Sequence, residues 1–247
     1  MANEDIRESS VPLHAKISDR IRNAIYMEEL ERGQKLPSES EMMTLYGTSR
    51  GTIQQALRTL VDEGLITKVR GKGSFVAGPV LSYPTGTSLF SMSESLRLQG
   101  VQFKTQVLEQ RVAPCTHSVA EHLQAPVGSP YLILRRLRST TAGDPLMLMM
   151  SQVSLTVCPG LDKVDFTQET LFSAMEQASR RKIAFARLQY GARIAGTENG
   201  ALLSCDPKAP VLNILQVVHV TGNVPVEWAN LWLPANKYVL STVQPRA

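Results

Sequence analysis

Long apolar runs are missing from this chain. No stretch approaches the roughly 18 consecutive hydrophobic residues that a membrane-spanning helix needs. The opening residues, MANEDIRESS, are polar and hold no apolar signal segment, so the chain is expected to stay in the cytoplasm. Cysteine is scarce: Cys115, Cys158 and Cys205 are far apart, with no CxxC spacing, and read as reduced structural thiols. Only four histidines accompany them, so neither a metal cluster nor a cofactor is expected. A Ser–His–Asp set and a phosphate loop are equally missing, which argues against an enzyme. Net charge is modest at +4. Residues 1–78 carry eleven basic and eleven acidic side chains, so bulk charge gives no case for a polyanionic partner there. What remains is 247 residues, 43 % of them hydrophobic, enough for one large core or two small ones.

The distribution of charge says more than its sum. Residues 36–76 read as two short helices followed by a basic hairpin. Ser38 is placed to cap the first helix, with Glu39 and Glu41 at its positive end, and Gly47 breaks it. Ser49 caps the second. There Ile53, Ala56, Leu57 and Leu60 fall at i, i+3, i+4, i+7 and form one apolar stripe. Arg50, Gln54, Gln55 and Arg58 point away from that stripe. Such a face suits a DNA major groove, where Arg pairs with guanine and Gln with adenine. Gly64 ends the helix. Two strands, 65–69 and 74–76, then flank the tight turn Arg70-Gly71-Lys72-Gly73. Acids crowd the first helix of the chain, which starts at Pro12 and is expected to reach about Leu30. Arg50, Arg58, Lys68, Arg70 and Lys72 crowd the reading helix and hairpin, where phosphate contacts would form.

In order and spacing, LPSE at 36–39, SRGTIQQAL at 49–57, DEGLI at 62–66 and GKGSFVA at 71–77 resemble the GntR family of bacterial transcription regulators. The resemblance implies a winged helix-turn-helix domain over residues 10–78. It implies DNA contacts from Ser38, Ser40, Ser49, Arg50, Thr52, Gln54, Gln55, Arg58, Arg70, Lys72 and Gly73. Three positions depart from the family. Ser40 and Gln54 stand where arginine is common, and Gly51 where threonine is frequent. These departures bear on the operator sequence, not on the docking geometry.

Residues 79–90, rich in Pro, Gly, Ser and Thr, are expected to form a linker. A second domain is expected over 91–243. Ser91 begins a short capped helix that ends at Gly100, and residues 104–112 alternate like a strand. An internal repeat follows at a separation of 80: residues 120–138 lie over 200–218, and Pro145 over Pro225. Each copy reads as a short helix, a Pro-bounded turn, a strand, a Gly turn and a second strand. A helix at about 168–180 sits between them. Two helix–hairpin units give an α+β domain with a mainly antiparallel sheet.

The Arg-x-Arg of strand 131–138, the DPL turn at 144–146, Pro159-Gly160-Leu161 and PVEWA at 225–229 are similar to the UTRA effector-binding domain of the HutC subfamily. That domain has a chorismate-lyase-like fold. Arg136 and Arg138 correspond, in the second copy of the repeat, to Gln216 and Val218. Two arginines on a sheet face shared with Leu132 and Leu134 are costly unless something negative joins them. A carboxylate or phosphate would serve, and the helix end at Ser91 and Ser93 reads as a second anion site. Two plainer readings stand beside this one. The arginines could be a solvated face or ion-pair partners, and Glu227 could pair with one of them. The resemblance implies effector contacts from Ser91, Arg136, Arg138, Thr170 and Glu227. Met149 stands where the family usually has Glu, and Phe172 where Tyr is frequent, which makes the pocket more apolar.

These readings together imply a homodimeric repressor that binds an inverted-repeat operator and responds to a small anionic metabolite. The alternative is a DNA-binding regulator with no effector, whose second domain serves only for dimerisation. An enzyme on the lyase-like scaffold is the third reading, and the sequence supports it least.

Overall fold

The computed structural model describes residues 11–77, 81–84 and 91–241. The chain divides into two compact units, Met1–Val80 and Leu81–Ala247.

In the first unit, helix α1 (Leu13–Tyr26) begins at Pro12 and ends four residues short of the expected Leu30, where Glu28 turns into the left-handed region. Helix α2 (Glu39–Tyr46) is closed at its start by a reciprocal capping box between Ser38 and Glu41. Left-handed Gly47 ends it. Helix α3 (Arg50–Asp62) starts at the Ser49 cap, whose hydroxyl accepts from the Thr52 amide. The stripe Ile53, Ala56, Leu57 and Leu60 is buried against Ile17, Ile21 and Ile25 of α1 and Met42 of α2. Each of the larger side chains contributes about 1.5–3 kcal/mol by leaving water. Nε and Nη2, one edge of the Arg22 guanidinium, both donate to the Glu63 carboxylate, tying α1 to the end of α3. Strands β1 (Ile66–Val69) and β2 (Gly73–Val76) pair antiparallel, and residues 33–36 run along β2. Gly73, at φ 112°, lets the Lys35 side chain approach its backbone.

Four residues of the expected linker are not linker. Strand β3 (Leu81–Pro84) pairs in parallel with β10 (Tyr238–Ser241) at the far end of the second unit. The other linker positions, 79–80 and 85–90, lie outside the described residues.

The second unit is built on a six-stranded antiparallel sheet. Helix α4 (Met92–Leu98) precedes β4 (Phe103–Pro114), helix α5 (His117–Leu123), β5 (Pro130–Thr140) and β6 (Pro145–Ser154). Helix α6 (Leu171–Ser179) begins three residues later than expected, because Thr170 caps it. The second half repeats the first: β7 (Ile183–Ile194), helix α7 (Thr197–Leu203), β8 (Pro210–Val220) and β9 (Val224–Pro234). The repeat at 80 residues therefore includes the edge strands β4 and β7. The order β4-β5-β6-β9-β8-β7 joins two three-stranded meanders at the β6–β9 seam. Helices α5 and α7 pack on one face through Tyr131, Ile133, Leu137, Leu148 and Trp228. Helices α4 and α6 pack on the other, over Leu132, Leu134, Met147, Met149, Val218 and Leu231. The alternation of β5 puts Arg136 and Arg138 on that second face.

Candidate functional site

The first unit carries an exposed polar face. Ser38, Ser40, Ser49, Arg50, Gln55, Arg58, Arg70, Lys72 and Gly73 are exposed, while Thr52 and Gln54 are half-buried. Several hydroxyls already have local work. Ser38 and Ser49 cap their helices, and Ser49 Oγ lies 3.0 Å from Thr52 Oγ1. One acid sits among the side chains expected to meet DNA. Glu39 Oε2 accepts from Arg50 Nε at 3.0 Å and from Gln54 Nε2 at 3.0 Å, and Oε1 accepts from Lys68 Nζ at 2.9 Å. These bonds, that from Lys68 first, pull the Glu39 carboxyl down to about 2.

The second unit holds a small cavity between the sheet and helices α4 and α6. Ser91, Arg136, Arg138 and Glu227 all line it, with Met92, Ser93, Met149, Ser151, Leu171, Phe172, Gln216, Ala229 and Leu231. Arg136, Arg138 and Glu227 are 3, 4 and 2 % exposed, so three charged groups are withdrawn from water. Arg138 Nη2 donates to Ser93 Oγ at 2.6 Å, and its guanidinium lies 4.9 Å from the centre of the Phe103 ring. Arg136 Nη2 donates to Ser151 Oγ at 3.3 Å, and its guanidinium lies 5.8 Å from the Phe166 ring centre. Glu227 Oε2 accepts from Gln216 Nε2 at 3.1 Å, and the carboxylate is also bonded to the Ser151 side chain. Ser151 thus stands between Arg136 and Glu227. Among the described residues, no ion pair within 4.0 Å joins that carboxylate to either arginine.

Burial dominates the electrostatics here. Desolvation pushes Arg136 down to about 10, with Glu227 opposing it. Desolvation, then the neighbouring Arg136, pushes Arg138 down to about 9. Both stay protonated at neutral pH. Desolvation also raises the Glu227 carboxyl above its usual range. Two guanidinium groups thus face a single carboxyl in this cavity, and positive charge is in excess. Arg136 Nε, Arg138 Nε and Arg138 Nη1 are buried N–H donors with no hydrogen-bond partner. Unfilled donors on buried cations are what an anion would satisfy.

Thr170 lies outside this lining. Its hydroxyl accepts from the Ser173 amide at 3.4 Å, and its side chain borders an adjoining groove that shares Ser93 and Arg138 with the cavity. Ser91 lines the cavity but spends its hydroxyl on the Glu94 amide, and its own amide donates to Glu94 Oε2 at 2.7 Å. The α4 end is therefore already occupied by a carboxylate and is a poorer anion site than its sequence suggests. Three contributors escape the sequence reading of the site: Ser151, Gln216 and Phe103. Gln216 was the findable one, since it stands in the repeat where Arg136 does.

A winged helix holds one helix out toward a groove in DNA, and the class of protein this fold and reading face define is a DNA-binding transcription regulator. The model described as "Bacterial regulatory proteins, gntR family" matches residues 13–76, and the UTRA domain model matches residues 98–239. The chain belongs to the UTRA-domain family and carries a gntR-family DNA-binding domain ahead of that domain. It is 26 % identical over 233 residues to the HTH-type transcriptional repressor NagR of Bacillus subtilis (strain 168), covering 94 % of each chain. It is 26 % identical over 230 residues to the HTH-type transcriptional regulator GgaR of Escherichia coli (strain K12), covering 93 % of this chain and 90 % of that one. The crystal structure of PhnF from Mycobacterium smegmatis shares the fold. Its TM-score is 0.65 at 20 % identity, over 94 % of this chain and all of that one. Both of these relatives, NagR and GgaR, are named as regulators, not enzymes.

Proposed function

We propose that the protein is a repressor whose affinity for its operator is set by a small anionic metabolite bound in the second unit. The observation that carries this reading is the set of unpartnered buried donors on Arg136 and Arg138. A carboxylate or phosphate on these arginines neutralises the excess charge and fills the donors. Glu227 and Gln216 then meet hydroxyl or amine groups of the same molecule. Ser91 and Thr170 border its path, Thr170 from the outer groove. Met149, Leu171, Phe172, Ala229 and Leu231 leave much of the wall apolar, which suits a sparsely hydroxylated anion better than a sugar phosphate. The first unit meets the operator through α3 and the β1–β2 wing. A homodimer presents two such units to an inverted repeat in the cytoplasm. The anion favours one of two arrangements, and operator affinity changes by that difference in binding energy. The name of NagR calls that relative a repressor, which supports the same sign here. A thermal-shift screen of small carboxylates and phosphates tests the reading. At least one should raise the unfolding midpoint and alter operator affinity in parallel. If none does while operator binding persists, the effector half of the reading fails.

A further inference from the structure

Three side chains expected to meet DNA converge on one carboxylate, and that carboxylate belongs to none of the expected contacts. Glu39 sits at the first position of α2 and touches both α3 and strand β1. Its side chain is only 20 % exposed, whereas Arg50 is 71 % and Lys68 56 % exposed. The start of α2 is capped without it, since Ser38 and Glu41 close the capping box between them. Glu63, at the end of α3, is engaged by Arg22.

We infer that Glu39 is a positioning residue for base reading: it fixes which edges Arg50 and Gln54 present to DNA. The inference rests on the assignment of those two side chains as base-reading groups. The chemistry follows from what a carboxylate can do. An ionised carboxylate only accepts hydrogen bonds. Facing it, the Gln54 amide must turn its nitrogen inward, which fixes the direction of its oxygen. The second N–H and Oε1 then form a donor–acceptor edge of one polarity, the pattern that reads adenine N7 and N6. Arg50 commits Nε to Glu39 and keeps its two terminal nitrogens for guanine N7 and O6. The third bond restrains Lys68, whose ammonium would otherwise serve any phosphate regardless of sequence. Glu39 thus strengthens specific reading and weakens indiscriminate binding together.

The test uses the full-length protein and two duplexes at one salt concentration. One is selected by the wild-type protein from a random pool, and the other is its scrambled sequence. Glu39→Gln keeps the size but removes the charge and the acceptor-only character. Glu39→Asp keeps the charge and the acid at the helix start but withdraws the carboxylate by one methylene. The ratio of selected to scrambled affinity should fall about tenfold in both variants. Affinity for the scrambled duplex should rise in Glu39→Gln and stay level in Glu39→Asp. A role in folding alone would lower both affinities together and preserve the ratio. A preserved ratio in either variant overturns the inference. Arg50→Ala and Gln54→Ala are measured alongside. If they lower the ratio while the Glu39 variants do not, only the inference falls. If they also preserve it, the assignment of the reading side chains fails and takes the inference with it.

Discussion

Met147 and Glu227 occupy the same place in the two halves of the six-stranded sheet, 80 residues apart. Met147 pairs across its strand with Arg138, and Glu227 pairs across its strand with Val218. The repeat has thus been made polar at opposite corners: a cation on β5 in one half, an acid on β9 in the other. Both point to the face covered by α4 and α6. A doubled scaffold becomes a cavity with a positive and a negative side, and the orientation of any bound zwitterion or hydroxylated acid follows from that asymmetry.

The positive side can be probed without disturbing the fold. Arg138→Met replaces a buried, incompletely bonded cation by an apolar chain of similar reach. Replacing a buried ion pair by well-packed apolar groups is often neutral or stabilising by about 1–4 kcal/mol. Among the described residues, Arg138 has no carboxylate within 4.0 Å that its removal would strand. The variant should therefore unfold at an unchanged or higher temperature and bind operator DNA normally, but no longer respond to an anion that stabilises the wild type. Parallel melting and fluorescence anisotropy check this. A retained response would remove Arg138 from the effector site.

In the first unit, base contacts and phosphate contacts separate by their salt dependence. Arg50→Ala should weaken operator binding by about 1–3 kcal/mol and relax preference at one base pair. Lys72→Ala should weaken binding to all sequences alike and reduce the salt slope by about one. Titrations of matched and mismatched duplexes at several salt concentrations distinguish the two. Equal behaviour of the variants would mean that wing and helix are not divided as proposed.

Acid should loosen the first unit through Glu39. Its folded-state value lies near 2, against 4.5 for the free side chain. A carboxyl held below its unfolded value stabilises the fold above about pH 4.5, and that contribution is lost as pH falls toward 2. Glu41, bonded to the Ser38 amide, is shifted in the same direction. Glu39→Gln should thus flatten, not abolish, the decline in unfolding midpoint over this window. Overlapping wild-type and variant curves would show that the three bonds to Glu39 do not persist in solution.

Much of this was legible in the chain, and the failures have physical causes. Helices α2 and α3 carry their limits in side-chain chemistry, Ser38 and Ser49 before them and Gly47 and Gly64 after. The sheet was legible from Pro130, Pro145, Pro210 and Pro225, which bound the inner strands of both copies. The edge strands escaped the repeat because β4 and β7 are half exposed and share only Leu108 and Leu188. Packing constrains few of their positions. The end of α1 was missed because Glu28, not a glycine, takes the left-handed conformation. Glu39 looked like an ordinary acid at a helix start, since its three partners come from elements that meet only in the fold. Thr170 reads clearly as a cap, but which space a cap borders depends on the elements around it.

Tyr238 supplies a test of the buried polar inventory. Its residue is 5 % exposed, packed among Met92, Leu96 and Phe103, and its hydroxyl has no hydrogen-bond partner. Burial pushes the phenol above its usual range, with Arg138 opposing that shift. An unsatisfied buried hydroxyl costs about 1–3 kcal/mol. Tyr238→Phe removes the oxygen and keeps the ring, so the ligand-free variant should be more stable by about 1 kcal/mol. For a protein of this size that is a rise of about 2–4 °C in the unfolding midpoint. Strand β10 carries Tyr238 beside β3, so the gain should also slow amide exchange along this short parallel ribbon. Thermal melting and hydrogen exchange read the two effects. A variant that melts lower than wild type would mean that the phenol is bonded in solution.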